Sequence, residues 1–165
     1  MTAALDHVLR HNAWANKTLL EHCRTLEPAA MELSAAGTYG TLYGTLQHLV
    51  AAEQWYISLL TGELIGTRIR RTERHGLDEL IATSARTGAR AIEIAATDDA
   101  GRTLEIDGPE DPSTVGTVFA QLVNHANEHR AHATTILSVN GKTTPVISGW
   151  RYGIRTGISA HDGDD

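Results

Sequence analysis

The sequence predicts an all-α protein, four long amphipathic helices joined by loops in the manner of a four-helix bundle. Three observations predict it. Apolar residues recur near the 3.6-residue period in four separate segments. Pro28 and Pro112 fall between those segments, where a residue without an N–H does least harm. A single short stretch, "RTLEID" (Arg102 to Asp107), alternates like a strand, and with no clear partner it reads as an extended linker. At 165 residues and 17.8 kDa the chain is expected to form one domain, 1–165, long enough to bury its own core, with a flexible tail from about 156 to 165.

The first helix is expected from about Thr2 to Leu26, with Leu5, Leu9, Leu19, Cys23 and Leu26 on its apolar face. The second runs from about Thr41 to Thr61, its stripe marked by Leu42, Leu46, Leu49, Tyr56 and Leu60; Thr38 or Thr41 can cap it and Gly62 can stop it. The third, about Leu77 to Thr97, presents small residues (Ser84, Gly88, Ala91, Ala95) that allow close helix approach. The fourth starts after Pro112 with Ser113 as its cap and ends near Asn140, where "NG" terminates it. A last piece, "SGWRYGIRTG", is too glycine-rich for a firm assignment and is read as an irregular C-terminal segment.

Charge and cysteine content narrow the function. A net charge of −6 argues against nucleic acid, which needs a basic face. One basic run, "RIRRTERH" (Arg68 to His75), could meet an anion, although a solvated loop or helix start is the plainer reading. The lone Cys23 excludes an internal disulfide and reads as core packing. Without a charged leader, or an apolar run approaching ~18 residues, the expectation is a cytoplasmic protein with no membrane partner.

The chemistry concentrates in "NHANEHRAH" (Asn124 to His132). The seam of the fourth helix reads Val115, Val118, Leu122, His125, His129, His132 and Ile136, so histidines continue an apolar stripe. Residues at i and i+4 lie one above the other, and His125 and His129 can therefore aim at one point as ligands for a divalent ion. Burying imidazoles without partners costs about 1–3 kcal/mol each, yet a hydrogen-bonded core histidine remains the bland alternative, and a pair alone needs a third ligand. His48 on the second helix lies on the flank shared with Ala52, Trp55 and Leu59, which makes a His48–His125–His129 trio geometrically allowed. His7, His11 and His22 on the first helix, His75 in the basic run and His161 in the tail fit less well. His132 is better placed as a neighbour of the site or facing substrate than as a fourth ligand. Glu53, near the centre of the second stripe, is expected to bond a ligand histidine or an asparagine such as Asn12 or Asn16, with a rim salt bridge as the alternative. Trp14, Trp55 and Trp150 read first as core, with Trp55 as an alternative wall for the site. "HANEH" also matches the inverted zinc-protease pattern with Glu128 as base, but such an enzyme draws a glutamate ligand from further on and no Glu follows Glu128.

With these residues in place, the chain resembles the DinB/YfiT-like superfamily of metal-binding four-helix bundles, in its DinB family proper. The resemblance covers nearly the whole chain and rests on "HNAWANKTLL", "GTLYGTLQHLVAAEQWYISLLTG", "NHANEHRAH" and "NGKTTP". It implies an up-down-down-up bundle whose three-histidine site maps onto His48, His125 and His129, holding zinc or nickel. In the usual signature the second paired histidine is followed by Arg, a small residue and Gln; Arg130 and Ala131 fit, and His132 stands where glutamine is common. Characterised relatives include metal-dependent isomerases and S-transferases that use a low-molecular-weight thiol such as mycothiol or bacillithiol. The resemblance therefore implies a metal-dependent enzyme, a thiol-dependent transferase or isomerase or a hydrolase, with His132 and Glu53 as candidate proton carriers, a thiol as candidate cosubstrate and a homodimer as the assembly. Glu128 is a further acid near the pair. The alternative is a non-catalytic metal-binding stress-response protein, its site closed by His132 or Glu53.

Overall fold

The computed structural model describes residues 3–158 apart from 107, 109 and 111. Its chain is α-helical: α1 (Ala3–Arg24), α2 (Leu42–Thr61), α3 (Leu77–Thr97), α4 (Val115–Val139) and a short α5 (Gly149–Arg155). After α1 a 3-10 turn, Pro28–Glu32, begins at the expected proline. The sequence signals at the ends of α2 act as read. Thr41 accepts a hydrogen bond from the Gly44 N–H at 3.0 Å, and Gly62 turns left-handed at φ 76°.

Two elements differ from expectation. "RTLEID" has a partner after all: β1 (Thr103–Glu105) pairs antiparallel with β2 (Pro112–Thr114), placing Leu104 opposite Ser113. Three residues reading Pro-Ser-Thr show no alternation, so only the folded chain reveals them as a strand. Because Ser113 belongs to that strand, the cap of α4 is Thr114, whose hydroxyl accepts from the Thr117 N–H at 3.2 Å. The glycine-rich "SGWRYGIRTG" folds as α5, with Ser148 capping the Arg151 N–H at 3.2 Å and Tyr152 buried against His7, His11 and Trp14. The far part of the expected flexible tail, from 159 onward and including His161, lies outside the described residues.

α1 packs against α3 and α4, and α2 against the same two helices, so helices consecutive in sequence at either end of the chain do not form the main contacts. Two apolar clusters result. One gathers Leu19, Leu20 and Cys23 of α1 with Leu46, Leu80 and Ile136; the other gathers Leu9 with Ile57, Ile94, Val118, Phe119 and Leu122. Each long helix also carries buried polar residues between the two clusters: Asn12 and Asn16, Glu53, Ser84 and Thr87, His129 and Arg130. A polar layer thus lies between the two apolar clusters. Cys23 is wholly buried and its thiol is pushed up to about 12 by desolvation, as a packing residue rather than a nucleophile. Two of the three tryptophans depart from the core reading, Trp55 at 45% exposed and Trp150 at 68%, while Trp14 is partly buried against Tyr152.

The small-residue face of α3 serves close approach. A Cβ added at Gly88 would stand 2.8 Å from the Cβ of Ala13 on α1, an atom that cannot swing aside. Gly88→Val is expected to push α1 and α3 apart and destabilise the protein by about 1–3 kcal/mol, the usual cost of overpacking. Urea unfolding checks it: the midpoint should fall with the slope unchanged.

Candidate metal centre

The seam of α4 decides what the histidines face. Val115, Val118, Leu122 and Ile136 on that seam are buried, and the histidines between them are carried into the same interior, His129 to 4% exposure and His125 to half-burial. α2 crosses this seam with Tyr56 opposite Gln121, whose side-chain amide donates to the tyrosine hydroxyl at 3.3 Å, and with His48 opposite His125 and His129. One ring nitrogen from each of His48, His125 and His129 lies within 4.8 Å of the other two. The Nε2 atoms of His48 and His125 approach to 3.1 Å, and the ring centroids of His125 and His129 to 4.3 Å.

This arrangement keeps the imidazoles neutral. Desolvation, followed by the proximity of the other histidines, lowers His125 and His129 to about 4; burial lowers His48, helped by the charge of Arg71. Neutral imidazole is the metal-binding form. The buried Nδ1 of His129 has no hydrogen-bond partner among the described residues, and neither does that of His132. Three converging neutral nitrogens with an unsatisfied buried ring atom beside them make a poor hydrogen-bonded core and a good donor set for a borderline divalent ion.

The other candidates separate. His132 lies beyond the trio, its ring edge-on to His129 at 5.4 Å. His7 and His11 pack on Tyr152, and His22 bonds the Thr143 carbonyl at 2.8 Å. His75 is structural: its Nε2 accepts from the Arg70 N–H at 3.1 Å while Nδ1 faces Glu79 at 3.1 Å. Glu53 bonds an asparagine, not a ligand histidine. Asn16 Nδ2 donates to its Oε2 at 2.6 Å, and Thr87 donates to its Oε1 at 2.7 Å. Arg130 completes the layer, donating through Nη1 to the side-chain oxygens of Asn12 at 2.7 Å and Asn16 at 2.6 Å. A carboxylate 2% exposed, with each oxygen already occupied, is badly placed to shuttle protons to a substrate; Glu53 anchors helices instead.

Sequence reading missed Tyr39. Its ring stacks on His48 at 4.2 Å with planes 13° apart and meets His129 edge-on at 5.0 Å, covering one side of the trio. Tyr39 stands in the irregular stretch between Gly37 and Gly40, where no periodicity assigns a face; its one signal is an aromatic residue two places before the cap of the His48 helix.

A family model described as the DinB family matches residues 1–156. The chain belongs to the DinB family. Among solved structures it is similar to a DinB-like protein from Bacillus cereus ATCC 10987, at 17% identity and a TM-score of 0.66, over 82% of this chain and 90% of that one. At that identity the likeness is one of fold. No curated protein sequence matches the chain.

Burial raises Glu53 to about 7, more than its bonds to Thr87 and Asn16 and the charge of Arg130 offset. A carboxyl raised on folding contributes stability that is present below about pH 4.5 and lost as pH climbs through about 7; the shift corresponds to roughly 3 kcal/mol. The depressed histidines tilt stability the other way at lower pH, so the informative quantity is a difference. Relative to Glu53→Gln, the metal-free wild type should lose on the order of 3 kcal/mol between pH 4.5 and 7.5, measured by denaturant unfolding; parallel pH curves would remove Glu53 as the titrating group.

Proposed function

We propose that this DinB-family protein holds one divalent ion, zinc or nickel, through His48, His125 and His129, and that it is a metal-dependent enzyme of the thiol-dependent transferase or isomerase class or of the hydrolase class. The observation that carries this reading is the convergence of three neutral imidazole nitrogens within 4.8 Å, with no carboxylate among them. An ion held by three histidines with a position open supplies Lewis acidity, bringing the pKa of water or a thiol toward neutrality.

The chain's own residues have distinct parts in this proposal. The three histidines hold the ion and, being neutral at pH 7, surrender no proton on binding it. Tyr39 shields the face of His48 from water. His132, with its Nδ1 unpartnered beside His129, is placed to accept or return a proton. Glu53, Asn16 and Arg130 fix α2 and α4 against α1 so that the ligands stay convergent. The commitment of Glu53 to the core, and of His132 to a place beyond the trio, favours an open site over a closed, storage-type one. The paired contacts of α1 with α3 and of α2 with α4 support reading the long helices as an up-down-down-up bundle.

Metal content is the test. Protein purified without a chelating tag should carry about one zinc or nickel ion per chain by plasma mass spectrometry, and His48→Ala, His125→Ala and His129→Ala should each lose it while His132→Ala keeps it. Absence of bound metal in the wild type after reconstitution with several ions would sink the reading.

A further inference from the structure

The basic run, whose plainer reading from sequence was a solvated loop or helix start, lies close to the histidine trio, with Arg71 over the Tyr39 ring that stacks on His48. After α2 the chain loops back along the helix that carries His48 and is tied to it at several points. Gln54 donates to the carbonyls of Ile65 at 2.7 Å and Thr67 at 2.8 Å and accepts from the Ile69 N–H at 3.0 Å. Gln47 donates to the carbonyls of Arg70 and Glu73, each at 3.0 Å, and the His75 N–H reaches the Tyr43 hydroxyl at 2.7 Å. Both glutamines are buried. Their side chains do for this loop what a strand partner would, and they hold its arginines in fixed positions.

Those arginines divide in two. Arg70 pairs with Glu73 at 3.6 Å, and Arg74 pairs with Glu32 at 2.9 Å and lies over the Tyr43 ring. Arg68 and Arg71 have no carboxylate partner among the described residues, in a chain whose acids outnumber its bases. Arg71 lies 5.9 Å over the ring of Tyr39, the same ring that stacks on His48. Both unpaired arginines line a groove of about 370 Å³ with Trp55, Leu64, Ile69 and Ala51, and Ala51 lies three residues on from His48 along α2. That volume suits a small organic molecule.

We propose that this groove is the substrate-binding bay of the metal centre and that it selects a small organic anion, its apolar body against Trp55 and Leu64 and its anionic group at Arg71 and Arg68. A guanidinium matches a carboxylate or phosphate in planar, two-pronged fashion, and a column of Arg71, Tyr39 and His48 leads from that contact to the candidate metal ligands. Exposed Trp55 thereby acquires a use that core packing does not give it. The inference rests on the metal-centre reading for what happens to the anion, but the binding itself can be tested apart from the metal.

The test compares benzenesulfonate with methyl phenyl sulfone, a neutral molecule of similar shape, by calorimetric titration into zinc-loaded and metal-free protein. Zinc content is measured on every sample. Wild type should prefer the sulfonate, and Arg71→Gln should weaken sulfonate binding about 10- to 100-fold, the range of a lost charged hydrogen bond, with zinc content unchanged. Arg155→Gln, which removes the same charge from exposed α5, should leave binding within about twofold, since separated surface charges are screened by salt. Equal binding of the two probes, or sulfonate binding that Arg71→Gln does not weaken, would overturn the proposal. A wild type that takes up no zinc would sink the metal-centre reading, and the anion preference of the metal-free protein would still decide the groove.

Discussion

Burying the carboxylate of Glu53 is the constraint from which the rest of the arrangement follows. Taking a charge out of water is costly, and the cost is tolerable only where hydrogen bonds replace the solvent. Here Asn16 of α1 and Thr87 of α3 occupy its two oxygens, and Asn16 passes the connection to Arg130 of α4, so one acid on α2 engages all four long helices. Leaving a buried polar group of such a set unsatisfied costs about 1–3 kcal/mol, which makes sliding of the helices expensive. A one-residue slip of α2 against α4 would rotate His48 away from His125 and His129. The polar layer therefore sets the register that two apolar clusters, indifferent to small shifts, would leave loose.

Arg130 has a double position in this design. It follows His129 directly, so the guanidinium that fixes α4 against α1 also fixes the backbone bearing a ligand candidate. Burial lowers Arg130 to about 10, which leaves it charged at neutral pH and able to balance Glu53 to the extent that the acid ionises. The two faces of α4 then divide the labour: one carries histidines toward α2, the other an arginine toward α1. The histidines are thus held where α4 is fixed against α1, with Tyr39 covering the face of His48.

That loop shows how irregular backbone can be as firmly placed as a helix. Gln47 and Gln54 are buried on α2 seven residues apart, two turns of one face, and their amides serve carbonyls and an N–H that would otherwise be unpaired. Polar residues at buried helix positions look like errors of amphipathic pattern when read alone. In the fold they are the attachment points of the segment that lays Arg71 over the Tyr39 ring.

What the sequence by itself determined was most of what local periodicity and punctuation govern, although it put the cap of α4 one residue early, at Ser113 rather than Thr114. The four long helices, the Gly62 stop, the third helix at Leu77–Thr97 and the histidine seam of α4 all follow from spacing within one segment, as does the small-residue face around Gly88, while the cap of α2 was legible as Thr38 or Thr41. The partner of Glu53 was legible only as one of several, a ligand histidine, an asparagine such as Asn12 or Asn16, or a rim salt bridge, and the fold selects Asn16. Only the tertiary structure decided the rest. It joined β1 to a three-residue β2, formed α5 from a glycine-rich stretch, laid Tyr39 on His48, exposed Trp55 and Trp150, and turned the basic run toward the site. Most of those features depend on contacts between residues of different segments, where no local period records which partner will be present. A helix face can be computed from its own residues; what covers it cannot.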